Sequence, residues 1–169
     1  IVRTTDIPIY HFRPTHMGRR LDQVVEFTRM GGYADITVKE DTASTFHQLL
    51  AEADADRITL SSDSNGSMPR WDAKRQHIVG MGVGQIGDLY RTVRKMAAEE
   101  GIPLETALPF VTRNVAESLM LYPRKGAVAV GSDADLVLLD QDLEIDCVIA
   151  KGRCMMLEKE LLVKGTFES

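Results

Sequence analysis

Ile58-Thr59-Leu60-Ser61-Ser62-Asp63-Ser64-Asn65-Gly66-Ser67-Met68-Pro69 reads as a short strand that runs straight into a small-residue loop. Apolar residues alternate with Thr59 and then give way to Ser61 through Gly66, whose side chains bond their own backbone and favour turns. The strand therefore ends just before Asp63. Where neighbouring strands are parallel and joined by helices, their C-terminal ends form the rim on which α/β proteins carry active groups. A carboxylate at that place is positioned for chemistry.

Working outward, Ile7 to Thr15 is apolar and β-prone and stops at Pro14-Thr15-His16, which predicts a buried strand with His16 just past its end. Leu21, Val24, Val25 and Thr28 repeat at helical spacing, closed by Gly31-Gly32. Tyr33 to Val38 reads as a second strand. Thr42 or Ser44 can cap a helix carrying Phe46, Leu49, Leu50 and Ala53, and Arg57 to Ser61 is the third strand. Strand and helix thus alternate in units that suit parallel crossovers. Ser64 to Gly84 is too long for a plain connection, and loops of that size often act as lids. Ile86 to Ala97 is strongly amphipathic and ends at Gly101. Pro103 to Val111 is helical but disturbed by Pro109, and Thr112 caps a last helix through Leu121. From Lys125 on, glycines punctuate β-prone pieces at 127–130, 136–139, 145–150 and 161–163. The expectation is an α/β part over 1–121 and a small β part over 122–169. A closed β/α barrel needs eight units, about 250 residues, so three strands would be only part of one.

The 169 residues are 44% hydrophobic and 27% charged, a soluble globular composition. The formal charge of -5 is interspersed, with no basic block, which argues against nucleic acid or an anionic membrane as a partner. The absence of a long apolar run or a signal-like start predicts a cytoplasmic setting. The first residue is Ile1 and not Met, so the sequence is expected to have been cut from something longer. Cys147 and Cys154, if on one strand, point to opposite faces, and free thiols are the simpler reading.

His16 and Asp63 are the candidate chemical groups, each immediately after a predicted strand on the same rim. Two inter-strand spacings are roughly 9 to 10 Å, so two ions about 3.5 to 4 Å apart would bridge them more easily than one. The plain alternatives are a hydrogen-bonded histidine and a turn-forming aspartate. Arg19, three residues after His16, could clasp a carboxylate in bidentate fashion or be a solvated charge. Ser67 could donate a hydrogen bond into the site or be an ordinary loop serine. His11 and His47 read as packing residues, and His77 is left open.

Pro14-Thr15-His16 with Arg19, Leu60-Ser61-Ser62-Asp63 with Asn65-Gly66-Ser67, and the tail Gly126…Gly131-Ser132-Asp133-Ala134-Asp135-Leu136-Val137-Leu138-Leu139-Asp140 resemble the amidohydrolase superfamily. The loop, the His16 to Arg19 spacing and the ending Val163-Lys164-Gly165-Thr166-Phe167-Glu168 resemble, within it, the isoaspartyl (β-aspartyl) dipeptidases. The resemblance implies the C-terminal part of a (β/α)8 TIM-type barrel, strands six to eight, followed by a small β-sandwich segment. It implies two zinc ions, one held by His16 and the other by Asp63. Asp63 would also act as general base on the attacking water and then as acid toward the leaving amine. Arg19 and Ser67 would contact a small dipeptide substrate, with Arg19 on its carboxylate. Family members form homo-oligomers. No His-x-His, bridging lysine or further metal histidine has a counterpart here, so the missing N-terminal half of the barrel is the implied partner and this chain alone is expected to be inactive. Ser64 stands where the family usually has glycine, and Met17-Gly18 also departs from it. The rival readings are another amidohydrolase, acting on a cyclic amide or an N-acyl amino acid, and a non-catalytic truncated remnant.

Overall fold

The computed structural model describes residues 2–39, 41–74 and 76–165. Helix α1 (Leu21–Arg29) leads into strand β1 (Ala34–Thr37), helix α2 (Thr42–Glu52) and strand β2 (Ile58–Ser61). β1 and β2 run parallel, with Ala34 opposite Ile58, Asp35 opposite Thr59, Ile36 opposite Leu60 and Thr37 opposite Ser61. Successive strand residues face opposite ways. One face, Ala34, Ile36, Ile58 and Leu60, is therefore apolar, and all four are at most 4% exposed. The other, Asp35, Thr37, Thr59 and Ser61, is wholly polar.

The apolar face packs into one core with Val24 of α1, Phe46 and Leu49 of α2, Val93 and Met96 of α3 (Asp88–Ala98), and Phe110. Phe46 and Phe110 meet at 4.8 Å between ring centroids. Helices α4 (Leu104–Ala107) and α5 (Arg113–Ser118) flank a single 3-10 turn at Leu108–Val111. Thr42 and Thr112 were expected to cap helices, yet neither α2 nor α5 has a side-chain cap bond. The Thr42 hydroxyl accepts from the Lys39 amide instead, while the Thr112 hydroxyl donates to the Leu108 carbonyl.

Three expectations change. Ile7 to Thr15 is not a strand: Ile9–His11 forms a 3-10 turn, and the stretch pairs with β1 through the Asp35 amide donating to the Pro14 carbonyl at 2.9 Å. Pro8 and Pro14 have no N–H to give a ladder. The parallel strands described are thus two, not three. Ser64 to Gly84, expected as a long lid-like loop, contains an antiparallel hairpin, β3 (Ser67–Trp71) with β4 (Ile78–Val83). After Tyr122 the chain builds one four-stranded antiparallel sheet, β5 (Leu136–Leu139), β6 (Ile145–Ala150), β7 (Arg153–Leu157) and β8 (Glu160–Leu161). β7 was not foreseen, and 127–130 is not a strand. Thr166 to Glu168 of the closing motif lie outside the described residues.

The superfamily-like tail builds the joint into this sheet. Lys125 pairs with Asp133 at 2.9 Å and with Asp135, and Asp135 also accepts the Lys151 amide at 2.6 Å. Cys147 and Cys154 lie on neighbouring strands, not one, and both are free. Burial and then the adjacent Cys154 push the Cys147 thiol up from its ordinary value. Among the described residues no helix is long and apolar enough to cross a membrane.

Candidate active site

The ends of β1 and β2 define one rim. Val38 extends the contact beyond β1 by donating its amide to the Ser61 carbonyl at 2.8 Å. His16 reaches this rim from outside the sheet, its Nδ1 lying 2.8 Å from Thr37 Oγ1 at the last position of β1. Asp63 stands two residues beyond Ser61, the last of β2. The rim thus holds both candidate ligands.

Both also carry left-handed backbone, φ 60° at His16 and 48° at Asp63, as does Asn65 at 63°. Asn, Asp and His tolerate this region better than other side chains, and such conformations concentrate where function demands them. At Asp63 the loop is made possible by glycine. A Cβ on Gly66 would lie 2.7 Å from Asp63 Oδ1, and one on Gly84 only 2.4 Å from the Asp63 carbonyl oxygen. The Gly66 amide donates to that carbonyl at 2.9 Å, and the Asn65 amide to the Gly84 carbonyl at 3.1 Å. The start of the hairpin is thereby stitched to its end directly behind Asp63.

A cavity of about 910 Å³ opens beside His16 and Arg19, lined also by Thr37 and by Arg70 and Trp71 of β3. Among the described residues its charged lining is Arg19, Lys39, Arg70 and Lys95 with the acid Asp41, and Lys95 also lies 3.9 Å from Glu99. Such a field favours an anionic ligand. The expected site residues are therefore brought together only in part: His16 and Arg19 face this cavity, whereas Asp63 and Ser67 do not line it. Ser67 opens β3 opposite Val83. Of the other histidines, His11 packs against Tyr10 in the 3-10 turn with the rings tilted by 45°, and His47 is exposed and 3.7 Å from Glu100.

The sequence reading passed over the polar face beneath the rim. Asp35 accepts three hydroxyls: Thr15 at 2.7 Å and Ser61 at 2.6 Å on Oδ2, and Thr59 at 3.0 Å on Oδ1. Thr37 Oγ1 lies 3.4 Å from Ser61 Oγ. The signal was present, since period-two alternation puts Asp35 and Thr37 on one face.

One imidazole and one carboxylate are ligand types that zinc takes. No group of three or more His, Cys, Asp or Glu able to hold a metal occurs among the described residues. The donors here fit a share of a metal site.

Comparison with known proteins bears on this arrangement. A beta-aspartyl dipeptidase from Fervidobacterium islandicum AW-1, solved in complex with beta-Asp-Leu dipeptide, superposes with a TM-score of 0.87 at 35% identity, over 98% of this chain and 45% of that one. N-acetylglucosamine-6-phosphate deacetylase from Thermotoga maritima shares the fold, with a TM-score of 0.55 and 20% identity over 72% of this chain and 38% of that one. The Bacillus subtilis (strain 168) N-acetylglucosamine-6-phosphate deacetylase is 41% identical over 49 residues, 29% of this chain and 12% of that protein. The chain thus spans less than half the length of each of these three relatives. Residues 11–155 match the Amidohydrolase family, a stretch that takes in the rim, the hairpin and most of the small sheet, and the chain belongs to that family.

Proposed function

We propose that these residues are the C-terminal portion of a zinc-dependent β-aspartyl dipeptidase, in which 1–121 contribute to a (β/α)8 barrel and 122–169 to a small β-sandwich segment. The observation that carries this reading is the 35% identity, over 98% of the chain, to the dipeptidase solved with beta-Asp-Leu. The cationic cavity beside His16 supports it, because a β-aspartyl dipeptide carries free carboxylates. His16 and Asp63 would each hold one of two zinc ions. Bound zinc supplies Lewis acidity that activates water near neutral pH and polarises the amide carbonyl. Asp63 takes the proton of the attacking water and returns it to the leaving amine. Arg19 clasps a substrate carboxylate in bidentate fashion, and Ser67 donates a hydrogen bond to the dipeptide. The remaining metal donors belong to the other half of the barrel, so the chain by itself is inactive.

A second reading, a deacetylase of N-acylated sugar phosphates, draws on the 41% identity over 49 residues and on the same cationic lining. The longer polypeptide that carries this chain, assayed with β-Asp-Leu and with N-acetylglucosamine 6-phosphate, separates the two. The dipeptide is the expected substrate. Arg19→Ala should lower kcat/KM for it by about 10- to 100-fold, the worth of a charge-assisted hydrogen bond. Acetate release from the sugar phosphate in its place, or turnover of neither compound, would overturn the reading.

A further inference from the structure

The hydroxyls under the rim form a chain whose direction is fixed at one end. A carboxylate only accepts, whereas each serine or threonine hydroxyl has a single proton to give. Ser61 lies 2.6 Å from Asp35 Oδ2 and gives its proton there. Its oxygen is then left to accept, and Thr37, 3.4 Å away, is the hydroxyl within reach that can donate to it. When Thr37 gives its proton to Ser61, its Oγ1 accepts from the nitrogen 2.8 Å away, His16 Nδ1. In that arrangement the polarity of the chain is set from the Asp35 end. Thr15 and Thr59 donate to the same carboxylate and fix its orientation. Thr37, the middle link, is buried at 4% exposure.

We propose that Asp35 is a positioning residue which, through Ser61 and Thr37, holds the His16 imidazole with its proton on Nδ1 and leaves Nε2 bare for a metal. The last clause rests on the reading of His16 as a zinc ligand; the tautomer does not. Partners of this kind behind a metal histidine set ring orientation and raise ligand basicity, and their loss typically costs about 10- to 100-fold in metal affinity. Free neutral imidazole prefers the opposite tautomer, so a broken chain should release His16 toward Nε2–H.

The test uses the longer polypeptide that carries this chain, metal-free, with nitrogen-labelled histidine rings. A His16→Gln variant of the same polypeptide assigns the His16 ring signals by their loss. Long-range proton–nitrogen correlation spectra should show His16 with a protonated Nδ1 and an unprotonated Nε2. Thr37→Val and Asp35→Asn should shift it toward Nε2–H and weaken zinc binding, read by chelator competition, by about 10- to 100-fold. Thr37→Ser, which keeps the hydroxyl, should restore both. A wild-type His16 protonated on Nε2 overturns the proposal without any variant having to fold. Unchanged tautomer and zinc affinity in folded Thr37→Val overturns it as well. Should β-Asp-Leu prove not to be a substrate while tautomer and zinc binding respond as stated, the relay stands and the dipeptidase reading alone falls.

Discussion

Asn114 is 1% exposed and spends its side-chain amide on two backbone carbonyls, Ala55 and Ile58, each at 2.8 Å. It thus pins α5 to the start of β2, the strand that delivers Asp63. Its Oδ1 has no partner among the described residues. The two bonds it donates therefore have to outweigh the desolvation of its own oxygen. Asn114→Leu removes that orphan oxygen but leaves two carbonyls unpaired, at about 1 to 3 kcal/mol each. A net loss of about 2 to 4 kcal/mol is expected, read as a lower urea midpoint with unchanged slope. A midpoint within error of wild type would show that the carbonyls find other donors. Nothing in the sequence marks Asn114, because a polar residue on a short helix reads as solvated until tertiary packing covers it. The chain turns at His16 and Asp63 were legible for the opposite reason: Pro14 before one, and the Ser-Asn-Gly run after the other, announce turns by local chemistry alone. Asp35 lay between these cases, visible in the alternation of β1 but without local punctuation to draw attention to it.

Helix α3 is the element that ties the small sheet to the rest. Its Tyr90 hydroxyl donates to the Leu143 carbonyl at 2.6 Å, and Arg94 pairs with Glu144. Both partners lie in the turn between β5 and β6, which Asp140 closes by accepting the amides of Asp142 and Glu144 at 2.9 and 2.8 Å. Leu143 has φ 58°, so its carbonyl is aimed by a conformation the turn must enforce. The two links differ in worth. The ion pair is about two-fifths exposed on both sides, where such pairs give about 0 to 1 kcal/mol. The tyrosine bond is a part-buried bond to a backbone carbonyl, and burial is the first cause raising the Tyr90 pKa. Tyr90→Phe should therefore cost about 1 kcal/mol and speed hydrogen exchange at the 140–144 amides more than Arg94→Ala does. The reverse order would assign the docking to charge. The periodicity of α3 was plain in sequence and its apolar stripe enters the core, but docking by a tyrosine hydroxyl has no periodic signature. β3, β4 and β7 were missed for a related reason. Pro69 in β3 and Gly80 and Gly82 in β4 interrupt the signal that Trp71, Ile78, Val79 and Val83 would give, the Arg-Cys-Met-Met run of β7 lacks branched and aromatic residues, and the pairing is decided across the hairpins.

At the scale of the whole molecule, the charges that hold the small sheet set its pH range. Lys125 draws the Asp135 carboxyl below its usual range, with the Lys151 amide adding to the effect, and Lys159 does the same to Asp140. A depressed carboxyl contributes stability that is present above its unfolded value, about 3.9, and lost as pH falls through the lower folded value. The lysines mirror this. Lys125 is raised by Asp135 and Asp133, and Lys159 by Asp140. Their contribution is complete below the unfolded value, about 10.4, and disappears as pH climbs through the folded one. The same pairs thus bound stability on both sides, and the sheet should be most stable between roughly pH 4 and 10. In 1–121 Arg91 holds Asp88 low at the exposed start of α3. Acid protonates the two lysine-paired carboxyls that hold the small sheet, Asp135 and Asp140, and should loosen residues 122–165 ahead of β1 and β2, as earlier loss of amide protection in β5–β7. Lys125→Met should narrow the window from both ends, whereas removal of a single-ended interaction would move only one. Symmetric loss of protection in both parts below pH 4, unaltered by Lys125→Met, would mean that acid unfolding is driven by overall charge and that the Lys125 joint does not govern the sheet.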